Sequence, residues 1–415
     1  MQQQELIPHL FRTEYRKIVS VLCAAFGIDH IELAEDIASE TFVTAAETWS
    51  IKGLPENPVA WLYTVAKNKA KNYFKRSALF TQKLAVEIKR TVNSVEAEPE
   101  IDLSDKSIND SQLAMMFTVC HPCISAESQV ALALHLLCGF GIPEIADAFL
   151  TNKEVIYKRL NRAKEKLKAE QIAIVYPAPA EIESRLETVL TTLYLLFSEG
   201  YYSSSQNTVL RKDLCFEAMR LTYLLIENEI SNQPAANALL ALMCFHASRF
   251  DARTNEIGEM VLYQDQDTAR WNQDLIEKGN YYLNLAAYGT RVSRYHLEAG
   301  IAYWHTRKED TREKWENILQ LYNQLLIREY SPIAALNRTY ALAKANGKEE
   351  AIVEAEKFKL EHNRFYYSLL GDLYTGIDNN KALQYFKRAI ELTSADAEKA
   401  ALERYMDKLS GHLKA

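Results

Sequence analysis

The stretch Ile142-Pro143-Glu144-Ile145-Ala146-Asp147-Ala148-Phe149-Leu150-Thr151-Asn152-Lys153-Glu154-Val155-Ile156-Tyr157-Lys158-Arg159-Leu160-Asn161-Arg162 carries two helical patterns on either side of a tight turn. An apolar helix at 126–138 and Gly139-Phe140-Gly141 precede it, a short helix spans 142–149, and Leu150-Thr151-Asn152 makes the turn. A basic helix follows over 153–168. Two short helices joined this way form a unit that reads the major groove of DNA. In the second helix, Ile156, Leu160, Ala163 and Leu167 recur at i, i+4, i+7 and i+11 and make one apolar stripe. At about 100° per residue, Glu154, Tyr157, Lys158, Asn161 and Arg162 fall on the opposite side.

Residues 152–168 hold seven basic and two acidic side chains, a balance suited to a groove lined by phosphates. Thr151 or Asn152 is placed to cap the helix. Base contacts are expected from Asn152, Lys153, Glu154, Tyr157 and Lys158, and phosphate contacts from Arg159, Arg162 and Lys164. A basic amphipathic helix also suits a plain solvated surface; the preceding helix and turn favour DNA.

Upstream, Asn57-Pro58 starts a second basic helix, with Asn57 as cap and Pro58 where a missing donor costs nothing. It continues Trp61-Leu62-Tyr63-Thr64-Val65-Ala66-Lys67-Asn68-Lys69-Ala70-Lys71-Asn72-Tyr73-Phe74-Lys75-Arg76. Leu62, Val65, Ala66 and Ala70 make its buried stripe, and Thr64, Asn68, Lys71 and Lys75 its exposed one. Trp61 sits at the edge in line with Asn68 and Asn72. Five bases and no acid, beside an aromatic and two amides, suit unpaired DNA: charge for the backbone, a ring to stack, amides to read a base edge. Tyr73 and Phe74 read as core aromatics, while Trp61 fits either role. The helix before it, over 33–49, buries Ala34, Ile37, Ala38, Thr41 and Ala45. Its outer face carries Glu35, Asp36, Glu40 and Glu47. Such a face cannot approach DNA; it should meet a basic protein surface or solvent.

The chain has 415 residues, enough for about two or three domains with cores of their own. Its net charge of −7 confines any DNA contact to local basic patches. Six cysteines without regular spacing fit a reducing compartment, and no export signal or membrane span is read, so a cytoplasmic protein is expected. With 13 Gly, 10 Pro and apolar residues at three-and-four spacing, an all-α protein is expected. Residues 93–110 hold six acids, one Lys and a Pro and read as a solvated linker. Tyr176-Pro177-Ala178-Pro179-Ala180 marks a second break. The expected domains are 1–85 and 111–175, both small and helical, joined by a linker at 86–110, then a helical-repeat extension over 180–415. In the last, Tyr340 and Tyr374 are 34 apart, and Tyr367, Leu370-Gly371, Ala382, Phe386 and Ala389 resemble a tetratricopeptide pattern near 333–392.

These residues resemble a known family. His9-Leu10-Phe11-Arg12, Leu33-Ala34-Glu35-Asp36-Ile37-Ala38, Asn57-Pro58-x-x-Trp61-Leu62 and Lys67-Asn68-x-Ala70 are similar to region 2 of extracytoplasmic-function sigma factors. Phe117-Thr118-Val119-Cys120-His121-Pro122 and Ile145-Ala146-x-Ala148-Phe149 are similar to their region 4. Leu193-Tyr194-Leu195-Leu196-Phe197-Ser198-Glu199-Gly200-Tyr201, Asp265-Gln266-Asp267-x-x-Arg270-Trp271 and Ala334-Ala335-Leu336-Asn337-Arg338 resemble a subgroup with a tetratricopeptide-like extension. Ser198 and Asn272 depart from it, standing where Asn and Asp are usual. The resemblance implies that the chain directs core RNA polymerase to promoter DNA. Asp36, Glu40 and Phe42 would then bind the polymerase. Trp61, Thr64, Asn68, Lys71, Asn72, Lys75 and Arg76 would act at the −10 element, and the helix from Lys153 at the −35 element. The extension would regulate in cis or hold a protein partner.

No metalloprotease, nucleophile-elbow or phosphate-loop motif appears, so no enzyme activity and no cofactor are expected. Gly139-x-Gly141 lacks the preceding strand and third Gly of a nucleotide loop. Cys120-His121-Pro122-Cys123 is a single Cys-x-x-Cys without a second pair, and no metal site is assigned to it. A helical scaffold is the rival class, but a scaffold has no need of a basic face on 153–168.

Overall fold

The computed structural model describes residues 3–87, 101–149, 151–201, 211–253, 255, 261, 263–307, 309–393, 399, 402–407 and 409. Among these the chain is all-α, as its composition implies, and it divides into two compact units at Leu196/Phe197.

In the first unit α1 (Gln3–Phe26) packs against α2 (Ile31–Lys52), α3 (Pro58–Glu87) and α4 (Asp105–Val119). Then come α5 (Ala126–Leu132), a single π turn (Ala133–Leu137), α6 (Ile142–Ala148), α7 (Lys153–Ala169) and α8 (Ile182–Tyr201). Helices α3, α6 and α7 each start on a side-chain cap written in the sequence. Asn57 Oδ1 accepts from Ala60 N at 3.0 Å, and Asn152 Oδ1 from Val155 N at 2.9 Å. Glu144 Oε2 reaches back to accept from Gly141 N at 2.7 Å. These bonds satisfy backbone donors that the first helical turn leaves without partners.

Two boundaries differ from the sequence expectation. The acidic segment expected as linker over 86–110 is helical from Asp105, because Ser104 caps the turn and Ile108 and Leu113 are buried beneath it. Residues 88–100 lie outside the described residues. The prolines at 177 and 179 end a helix without ending the packing unit. In α8, Val189, Leu190 and Leu193 are buried, Arg185 Nη2 donates to Phe117 O at 2.6 Å, and Thr192 Oγ1 donates to Gln129 Oε1 at 3.1 Å. The start of the expected extension therefore belongs to the first unit.

The second unit continues through α9 (Lys212–Glu227), α10 (Pro234–Ala247), α11 (Gln273–Ala286), α12 (Arg294–Trp304), α13 (Arg312–Arg328), α14 (Pro332–Asn346), α15 (Lys348–Ala355), α16 (Arg364–Tyr374) and α17 (Asn379–Leu392). Consecutive helices pack as pairs, closest where a glycine meets an aromatic ring. A Cβ on Gly279 would stand 2.5 Å from Phe245 Cε1, and one on Gly371 would stand 2.6 Å from Phe386 Cε1. Only a residue without a side chain permits that approach. The repeat-like spacing falls on α14 to α17, where Tyr374, Ala382 and Phe386 share one core and Ala389 is also buried.

Candidate nucleic-acid interface

Helix α7 is built as its periodicity requires. Ile156, Leu160, Ala163 and Leu167 are at most 3% exposed, and Glu154, Tyr157, Lys158, Asn161 and Arg162 all face solvent. Asn152 and Lys153 are exposed at its N-terminal end. Asn152 is the cap, so its amide oxygen is engaged by Val155 N. Arg159 is half-buried, with its guanidinium 5.5 Å from the Phe149 ring centroid.

Lys164 does not join that face. It is 6% exposed, and its Nζ lies 2.6 Å from Glu35 Oε2 on α2. The phosphate role expected for it is therefore not available in this arrangement; its charge is spent inside the unit. Beside it, Lys168 Nζ lies 2.8 Å from Glu32 Oε2, and His135 Nε2 lies 2.8 Å from Glu35 Oε1. Burial by itself raises the Glu35 pKa, but the hydrogen bond from His135 and the charge of Lys164 outweigh it and hold the carboxyl below its ordinary value. Glu32 and Glu35 of α2 thus meet basic side chains of this chain's own α7, while Asp36, Glu40 and Glu47 stay exposed.

Of the residues expected to bind polymerase, Asp36 and Glu40 are exposed, Glu40 within 3.1 Å of Lys69 Nζ on α3. Phe42 is not on that surface. It is 5% exposed, with ring centroids of Phe11 and Tyr15 at 5.1 and 6.4 Å, so in this arrangement it is core.

On α3, Leu62, Ala66 and Ala70 are buried, and Thr64, Asn68, Asn72, Lys75 and Arg76 are exposed. Lys71 is partly exposed, as is Trp61, which packs edge-on against Trp49 at 5.3 Å. Phe74 packs on Phe26 at 4.6 Å, as a core aromatic should. Tyr73 departs from that reading. It is 45% exposed and shares the solvent side of α3 with Asn72, Lys75 and Arg76, which adds a second ring to the candidate surface. Lys67 Nζ donates to Ile101 O at 2.7 Å and ties α3 to the segment before α4.

Among the described residues no group of His, Cys, Asp and Glu is arranged to hold a metal ion. His121 Nδ1 accepts from Cys123 N at 3.2 Å, which fixes the turn between α4 and α5. No helix among the described residues is long and apolar enough to cross a membrane. Sequence reading missed Glu32, Glu35, His135 and Lys168 as a set, because no periodicity links residues so far apart in the chain.

Comparison with known proteins adds three findings. Residues 10–79 match sigma-70 region 2, and residues 185–287 match a family of unknown function (DUF6596). An uncharacterized protein of Rhizobium meliloti (strain 1021) is 31% identical over 385 residues, covering 92% of this chain and 91% of its own length. No solved structure matches. The chain therefore belongs to the family of that rhizobial protein and carries, in α1 to α3, a sigma-70 region 2 domain, a module of transcription factors rather than enzymes.

Proposed function

We propose that this chain is a sigma factor of the extracytoplasmic-function type, working in the cytoplasm, that brings core RNA polymerase to specific promoters and starts transcription there. The observation that carries the reading is a match to region 2 followed downstream by the short helix α6 and by α7 with its exposed basic face, which supports a helix-turn-helix there. In this reading α3 meets the −10 element through Trp61, Thr64, Asn68, Lys71, Asn72, Lys75 and Arg76. Helix α7 meets the −35 element through Asn152, Lys153, Glu154, Tyr157 and Lys158, with Arg159 and Arg162 on phosphate. Asp36 and Glu40 meet polymerase.

The two promoter elements are about 25 base pairs apart, on the order of 80 Å at about 3.4 Å per pair. With α7 held against α2, α3 and α7 cannot reach both elements at once. The packed arrangement is therefore the free state, and polymerase, docking on Asp36 and Glu40, displaces Lys164 and Lys168 from the neighbouring Glu35 and Glu32. Lys164 becomes available to phosphate only after that exchange. The second unit, with its tetratricopeptide-like helix pairs, acts as a regulatory module in cis.

In vitro transcription on genomic DNA, with purified core polymerase and with or without the full chain, tests this. New start sites sharing two upstream motifs are expected. A complete lack of new starts, both with the full chain and with residues 1–196, would leave the promoter assignment without support.

A further inference from the structure

The second unit holds a cavity that promoter recognition does not use. Its volume is about 380 Å³, within the size range of small-molecule sites. Its walls are aromatic: Tyr263, Trp315, Tyr322 and Tyr340 line it, with Trp315 and Tyr340 edge to face at 5.5 Å. Among the described lining residues its polar side chains are Arg249, Gln264, His305 and Asn337 besides the tyrosines, and Arg249 is the one cation; Lys314 lies outside the lining, hydrogen-bonded to Tyr263. Arg249 is 9% exposed; its Nη2 donates to Tyr201 Oη at 3.3 Å, and its Nε has no partner among the described residues. Lys314 is 2% exposed, and its Nζ donates to Tyr263 Oη and Arg307 O, both at 3.1 Å.

Neither cation is ion-paired among the described residues. The nearby carboxylate, Asp310, is taken by Lys344 at 3.1 Å and by the Trp315 indole N–H. A buried cation without an ion-pair partner is costly, and an anion placed beside Arg249 relieves that cost. His305 lines the same cavity with its Nδ1 unpartnered among the described residues. Burial and the charges of Arg249 and Lys314 push its pKa down to about 3, so it remains a neutral ring beside the cations.

We propose that this cavity is a binding site for a small organic anion, a carboxylate on a flat apolar body. The carboxylate pairs with the Arg249 guanidinium, and the body lies against Trp315, Tyr322 and Tyr340. Arg249 supplies the charge, and the aromatic walls supply the burial that water cannot match. Binding is independent of the promoter reading; only its consequence, a ligand sensed by the regulatory module, rests on that reading.

Calorimetric titration of the full chain with 3-phenylpropionate, 3-phenylpropanamide and inorganic phosphate tests the site. The carboxylate should bind about ten-fold more tightly than the amide, the worth of one charge-assisted hydrogen bond. Arg249→Gln should abolish that preference. Arg249→Lys, which keeps the positive charge, should retain part of the preference for the carboxylate over the amide, and it remains informative if Arg249→Gln does not fold. Equal binding of carboxylate and amide, phosphate binding as tightly as the carboxylate, or no binding at about 5 mM would each overturn the proposal. Adding the carboxylate to the transcription assay separates the two claims: heat without a change in start sites keeps the site and removes its regulatory role.

Discussion

The ammonium of Lys164 lies 2.6 Å from one carboxylate oxygen of Glu35, across 129 positions of the chain, while His135 lies 2.8 Å from the other oxygen. Both partners are largely buried, so removing one leaves the other charge without compensation. Lys164→Ala and Glu35→Ala should each destabilise the first unit by about 3 kcal/mol. The double variant should lose less than the sum, with a coupling of about 1 to 2 kcal/mol. A urea-denaturation double-mutant cycle measures this; additive losses would mean that the contact holds little.

The exposed face of α7 divides into two predicted behaviours. Arg162→Ala should weaken DNA binding by the same factor on every promoter and lower the slope of log affinity against log salt by about 1. Tyr157→Ala and Glu154→Ala should instead alter which sequences are preferred, by about 1 to 3 kcal/mol at one position. Lys164→Ala should leave the salt slope for the isolated protein unchanged, because its charge is already neutralised by Glu35. Fluorescence anisotropy on two promoter variants at several salt concentrations separates these cases.

The all-α class, the caps at Asn57 and Asn152 and the buried stripe of α7 were legible because each rests on local rules of spacing and hydrogen bonding. Lys164 was misplaced although the signal was present: it follows Leu160 by four residues and precedes Leu167 by three, a core-facing position. What spacing could not provide was its partner, since Glu35 lies on another helix. Phe42 was assigned from resemblance, whereas its packing depends on Phe11 and Tyr15 of α1. Tyr73 was expected in the core because it is aromatic, yet Phe74 alone fills the space against Phe26. In the second unit, Arg249, His305 and Trp315 come from three separate segments, and no local pattern brings them together.

The two units should respond to acid over different ranges. Glu35 has a folded-state pKa below its unfolded value, so its contribution is full above about pH 4.3 and is lost as pH falls through the folded value. His305 is held down to about 3 by burial. Its unfolded form takes up a proton near pH 6.5 while the folded form does not, so stability declines as pH falls from about 6.5 towards 3, by up to about 1.4 kcal/mol per pH unit. Against wild type, His305→Phe should flatten the stability profile between about pH 6 and 4.5, and the difference made by Glu35→Gln should be constant above about pH 4.3 and shrink as pH falls below it. Parallel profiles for wild type and His305→Phe would show that this ring does not titrate on unfolding.

Gly371 carries the tightest contact in the α16/α17 pair, and its effect can be isolated. Gly371→Ala would set a methyl group 2.6 Å from Cε1 of Phe386, a ring 3% exposed and enclosed by the core that also holds Leu370, Leu373 and Tyr374. The ring cannot move without opening that core, so the helices must separate. Helix propensity favours alanine by about 1 kcal/mol, and overpacking costs about 1 to 3 kcal/mol; the clash is severe enough that the loss should prevail. A net destabilisation of about 1 to 2 kcal/mol is expected, read as a lower Tm. Phe386→Leu alone should also destabilise, by leaving space. Combined with Gly371→Ala it should recover part of the loss, because the smaller side chain makes room for the methyl. If the double variant is no more stable than the worse single variant, the two residues do not share one packing constraint.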